Sequence, residues 1–198
     1  MSFKSIMVSL VYTCGLAFSP MYGQKGSNKA VADIGRENTQ LAQRAGVWDV
    51  KETVWDSPGA MPTTTTWVAE RRMVGEFLEE ILEPAVGASA SQIQRIDYLS
   101  YHRIEGRWKY VSMDTRASVG MMPASSADRG DIANIRIVFE PFAIPMVDSR
   151  AGQLLSMQEV IRQTDANHDE KDQYFNLADG NGNSWLKHKY EYVRRQTR

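Results

Sequence analysis

From Val47 onward the chain never runs far without a break. Short runs rich in Val, Ile, Thr, Trp and Tyr alternate with Pro, Gly, Asn and Asp, the pattern of antiparallel strands joined by tight turns. Strands are expected near 47–56, 63–73, 76–83, 93–104, 107–116, 132–140, 153–165, 171–178 and 184–195. Ser57-Pro58-Gly59 and Glu105-Gly106 mark turns, and Asp179-Gly180-Asn181-Gly182 is the strongest hairpin signal. A sheet of that many strands exposes unpaired edges unless it closes. The expected fold is therefore mainly β, an antiparallel up-and-down barrel of about 8–10 strands, a size that can hold one small ligand.

The residues before this region read differently. Lys4 is the only charge before Lys25, and Ser5 to Phe18 is an apolar run too short to span a bilayer. A cationic start, this run, and then Ser19, Pro20 and Gly23 read as a signal peptide over 1–23, cut after Gly23, with Ala17 the second choice. The expected location is periplasmic or secreted. Cys14, the only cysteine, lies inside that segment; an acylated lipoprotein is the lesser reading, because Val11-Tyr12-Thr13 is a poor lead-in. The mature chain then has no thiol for a disulfide, a nucleophile or a thiolate metal site. Residues 24–44 are a linker and one amphipathic helix over 30–44, capped by Ser27 or Asn28 and ended by Gly46; residues 45–198 form the barrel domain. A net charge of -1 argues against a nucleic-acid partner.

Trp48 and Trp55 share one expected strand at an odd spacing. Side chains alternate along a strand, so one should fill the interior and the other lie outside, under the helix. The stretch Ala45 to Val50 looks like the opening of calycin-type barrels, where Gly-x-Trp starts the first strand. Four segments in order, AGVWDVKETVWDSPGAMP, AERRMVGEFLEE, RIDYLSYHRIEGRWKYVSMDTRASVG and KYEYVRR, resemble the bacterial family described as domain of unknown function 1579. The resemblance covers most of 45–195 and is patchy from 117 to 165. It implies a lipocalin-like barrel with no established activity. Glu76 stands where that pattern has a second glycine, and no tryptophan stands near Ser112 or Met113, so no ligand carries over.

Trp108, Tyr110, Ser112 and Asp114 alternate along one strand; Tyr98, Ser100 and His102 along its neighbour; His188, Tyr190 and Tyr192 along the last. Rings with a few hydrogen-bonding groups suit a cavity wall; the plainer alternative puts them outside. Arg71 or Arg72, but not both, can enter the barrel, to hold an anion or to neutralise Glu80, Glu52 or Asp114. Arg194 or Arg195 could stack on Trp48 and close the barrel. Asp165-Ala166-Asn167-His168-Asp169 has the opening spacing of a calcium loop, but Glu170 and Asn176 occupy the positions that need Gly and Glu. It reads as a polar hairpin turn. No metal and no cofactor is expected. The apolar stretches Gly120 to Pro123 and Pro141 to Val147 read as loops, a portal or a contact surface.

The leading expectation is an exported binding module for a small, partly apolar molecule, with Trp48, Arg71, Tyr98, Trp108, Tyr110, Asp114, His188 and Tyr190 as ligand-binding residues. A barrel hydrolase or isomerase using Asp114 and His188 is the alternative, and a filled structural or protein-interaction domain the third reading. The expected partners are a small-molecule ligand and, second, another copy of the chain as a homodimer, with no membrane span.

Overall fold

The computed structural model describes residues 34–85, 93–117, 119–143, 152–177 and 184–196. The signal-peptide reading, the Ser27 or Asn28 cap and the 179–182 hairpin lie outside them.

One helix, α1 (Gly35–Leu41), continues into a 3-10 turn over Ala42–Arg44. The helix expected over 30–44 starts only at Gly35, at φ +81°, a conformation glycine adopts freely. The strands are β1 (Gly46–Val54), β2 (Thr63–Val74), β3 (Phe77–Pro84), β4 (Arg95–His102), β5 (Arg107–Asp114), β6 (Met121–Ser125), β7 (Asn134–Phe139), β8 (Phe142–Ala143), β9 (Leu154–Gln163), β10 (His168–Leu177) and β11 (Trp185–Arg194). Their pairing runs β1-β2-β3-β4-β5-β6-β7-β9-β10-β11, all antiparallel, and β11 pairs back onto β1. The result is a closed ten-stranded barrel, with β8 lying along β9 beyond the end of β7.

All nine expected strands are present. Two more were not legible. β6 forms over Met121–Ser125, where the Gly120 to Pro123 stretch reads as a loop. Pro123 cannot donate to a ladder. It is tolerated because its carbonyl faces β7 and accepts from the Glu140 N–H at 3.1 Å, where β6 and β7 share a ladder of only two residue pairs. β8 forms over Phe142 and Ala143, the start of the second apolar stretch.

The helix closes one end. Asn38 stitches it to β4: its Nδ2 donates to the Tyr101 carbonyl at 3.1 Å and its Oδ1 accepts from the Tyr101 N–H at 2.7 Å. Leu41 joins the buried apolar cluster that includes Leu78, Tyr101, Trp108, Ile135 and Ile161. Trp48 is fully buried at this end, and its indole donates to the Arg44 carbonyl at 3.1 Å. Arg194 lies over the same ring, 4.2 Å from its centre, and donates to the carbonyls of Ala45, Gln43 and Ala166. A β-carbon on Gly46 would sit 2.7 Å from the Arg194 guanidinium, so a side chain there would displace this clasp. Trp55 does not lie under the helix. It is half-buried beside Ser57, Pro58, Gly59, Trp185 and Leu186, where β1 has ended and β11 begins.

Candidate functional site

Alternation along the strands puts charged residues, as well as apolar ones, inside the barrel. Glu80 is the centre of the arrangement. Its Oε1 accepts from Lys171 at 2.9 Å, Tyr192 at 3.0 Å and Arg95 at 3.1 Å; its Oε2 accepts from Arg71 at 2.6 Å. Arg71 also reaches Asp169 at 2.5 Å, with Arg44 behind it at 3.8 Å. Lys171 donates to Asp97 at 3.1 Å, Arg95 Nε stands 3.0 Å from Asp97, and Ser112 donates to Asp97 at 2.7 Å. Aromatic faces supply the rest of the solvation. Arg71 lies between the rings of Trp48 and Tyr192, at 4.7 and 4.3 Å, and Arg95 lies 4.5 Å over Tyr190. Burial alone would raise the Glu80 carboxyl, but Lys171, Arg71 and Arg95 hold it well below its ordinary range. A void of about 20 Å³ inside this layer, lined by Glu80, Asp97, Tyr110 and Lys171 among others, has room for one water.

Glu159 is the exception. It is fully buried; Gln173 donates to one oxygen at 2.6 Å and the other oxygen has no partner among the described residues. Burial, reinforced by the charge of Asp97, raises this carboxyl, although Lys171 and Gln173 oppose the shift. A folded pKa above the unfolded one stabilises the fold below the unfolded pKa, and that contribution is lost as pH rises through the folded pKa. Glu159→Gln should therefore match the wild type in denaturant midpoint near pH 4 and exceed it near pH 8. An equal midpoint at both pH values would show that the buried acid carries no such penalty.

Above the ion layer, at the end away from the helix, the barrel opens into a cleft of about 220 Å³. Its walls are mostly apolar: Val119, Met122, Phe142, Leu155, Met157, Phe175, Leu177 and Trp185, with Tyr190 and His188 from β11. Arg95 lies at its floor, only 2% exposed, and its Nη1 has no hydrogen-bond partner among the described residues. The Trp185 indole N–H likewise has no partner among the described residues. Leaving a buried donor unpaired costs about 1–3 kcal/mol, so both donors suit a ligand that brings acceptors.

One wall of the cleft carries a built histidine. His188 Nδ1 lies 2.8 Å from Glu52 Oε1. Glu52 Oε2 accepts from Arg116 at 2.7 Å and the Trp67 indole at 2.8 Å. Burial works against the Glu52 carboxylate, but its bonds to His188 and Arg116 bring the carboxyl far below its ordinary range. Burial lowers the His188 pKa despite that carboxylate, which favours the neutral ring. A neutral ring donating Nδ1–H to Glu52 keeps Nε2 as an acceptor. The ring is stacked on Tyr190 (9° between planes, centres 5.9 Å apart) and tilted against Phe175.

Of the eight residues singled out from sequence, Asp114, His188 and Tyr190 line the cleft. Asp114 and His188 are not paired directly; Arg116 bridges Asp114 to Glu52, and Glu52 holds His188. Arg71 is in the ion layer, paired with Glu80. Tyr110 faces the small void and packs edge-on against Phe139, 5.6 Å between centres. Trp48 and Trp108 belong to the helix end, where Trp108 packs on Tyr101 at 5.0 Å. Tyr98 faces outward and donates to Glu79 at 2.5 Å. Its register partner is Val111, opposite in phase to Tyr110, so the two tyrosines cannot share a wall. Arg95, Trp185 and Phe175 were not singled out, although Arg95 is in phase with Asp97 and Leu99 and could have been found by fixing β4 from its apolar positions. The 165–169 segment is a polar turn in which Asp165 accepts from the Asn167 N–H, and Asp169 is turned inward to Arg71.

No family model matches the chain, and no curated protein matches it. Among solved structures, the crystal structure of Rv2717c from M. tuberculosis is similar at 12% identity, over 83% of this chain and 100% of that one, with a TM-score of 0.46.

Proposed function

We propose that the barrel binds one compact, largely apolar molecule that carries a hydrogen-bond acceptor, in the cleft opposite the helix. The supporting observation is the pairing of apolar walls with an unpartnered, buried Arg95 donor at the floor. At about 220 Å³ the cleft falls below the 300–1,000 Å³ range of drug-sized ligands, so the ligand is small. In this reading the chain is an exported module, cut after Gly23, and the four segments quoted above make it a relative of the domain of unknown function 1579.

Native mass spectrometry of the protein purified from its own host should show a co-purifying small molecule. Ala117 lines the cleft from the turn after β5, where added bulk leaves the ladders intact. Ala117→Trp should keep the melting temperature and cut affinity by about 10–100-fold, the equivalent of 1–3 kcal/mol of overpacking. A bound mass that survives this substitution unchanged would place the ligand elsewhere. No helix among the described residues is long and apolar enough to cross a membrane.

A further inference from the structure

The cleft contains more than a binding site needs. A carrier with apolar walls has no use for a histidine whose tautomer is fixed from behind. Here Glu52 sits 2.8 Å from Nδ1, is itself only 2% exposed, and is held by Arg116 and Trp67. Tyr190 and Phe175 fix the plane of the ring. That is the arrangement of a base and its orienting carboxylate, with Nε2 left to act. Tyr190 also packs under the Arg95 guanidinium, at 4.5 Å, so one ring positions both the histidine and the arginine. Among the described residues that line the cleft the serine is Ser112, whose hydroxyl is turned to Asp97. The oriented histidine suits proton transfer.

We propose that the barrel catalyses proton transfer at carbon beside a carbonyl, with His188 as the base and the unpartnered Arg95 Nη1 holding the carbonyl oxygen. This rests on the cleft being the ligand site. The substrate class is a small, enolisable, largely apolar ketone or enone. The C–H electron pair moves to form the C=C of the enolate as its proton goes to His188 Nε2. The negative charge gathers on the oxygen at Arg95, inside a cleft that strengthens that interaction. The enolate then takes the same proton back at the α-carbon, or at the γ-carbon when a double bond lies between, which shifts that double bond. No oxidant, reductant or second substrate is consumed. Glu52 does not touch the substrate; it is a positioning residue that stabilises the imidazolium formed in the step.

The test uses cyclohex-3-enone, whose conversion to the conjugated isomer is read by ultraviolet absorbance, with ketone binding followed separately by NMR line broadening. The wild type should accelerate the conversion over buffer. His188→Gln should lose at least about 100-fold, the lower end of what a positioned base contributes, and His188→Ala should regain rate with added imidazole, which a purely structural histidine would not. The charged groups that act on His188 are Glu52 from β1, Arg116 just after β5, and Lys187 and Asp56 at the rim, with Asp114 at the end of β5 paired to Arg116. Removing the Glu52 charge in Glu52→Gln destabilises the imidazolium, so the acid limb of the pH profile should move to lower pH as the rate falls. Binding without acceleration, or a rate indifferent to His188→Gln, overturns the base assignment and leaves the binding cleft standing. Failure of the ketone to bind overturns both.

Discussion

Glu80→Ala is expected to destabilise the protein by about 3–5 kcal/mol, the cost of breaking a buried ion pair by removing one partner. The value belongs at the upper end, because one carboxylate serves Arg71, Arg95 and Lys171 together with the Tyr192 hydroxyl. Each cation would stay buried with less opposing charge. The same substitution should change the acid limb of stability. Glu80 has a folded pKa below its unfolded one, so its contribution is present above the unfolded pKa and is lost as pH falls through the folded value. The variant should therefore lose less between pH 6 and pH 3 than the wild type does. Urea denaturation at several pH values measures both effects. A change under about 1 kcal/mol, the scale of an exposed ion pair, would mean that the layer is wet or only loosely formed.

Trp48→Ala should cost a comparable amount for a different reason. Truncating a buried aromatic costs about 3–5 kcal/mol through lost transfer energy and the cavity left behind. Here two guanidinium groups also lose a face, Arg71 at 4.7 Å and Arg194 at 4.2 Å, and such contacts contribute about 0.5–2 kcal/mol each. Trp48→Phe should recover part of the loss, keeping a ring but not the bond to the Arg44 carbonyl. Thermal unfolding separates these cases. If Trp48→Ala melted within a few degrees of the wild type, the helix end would not be the closed end of the barrel.

These two residues show where the sequence was readable. The odd spacing of Trp48 and Trp55 required opposite faces, and Trp48 is the interior one. Arg71 with Glu80 and Arg194 over Trp48 are both pairings that the sequence offers, because a buried cation needs a carboxylate or a ring beside it. The wall of the cleft was harder to read. Tyr98 and Tyr110 both looked like wall residues, since an alternating pattern does not say which alternate faces in, and the register that separates them is a tertiary fact. Glu52 was visible as a carboxylate but not as the partner of His188, which lies 136 positions away and meets it only because β11 closes onto β1. β6 was missed because methionine and proline are weak strand signals, overridden here by pairing with β5. The cavity also proved shorter than a hollow barrel: ion pairs fill the middle, and the space lies at one end.

Ligand binding by this barrel requires that space to be a site floored by Arg95. A crystal structure of the protein purified from its own host, without added ligands, decides it. Density for a small molecule should be confined to the cleft, with an acceptor atom within hydrogen-bonding distance of Arg95 Nη1. A cleft filled by the protein's own side chains, or a ligand bound elsewhere while Arg95 Nη1 stays unpaired, would contradict it.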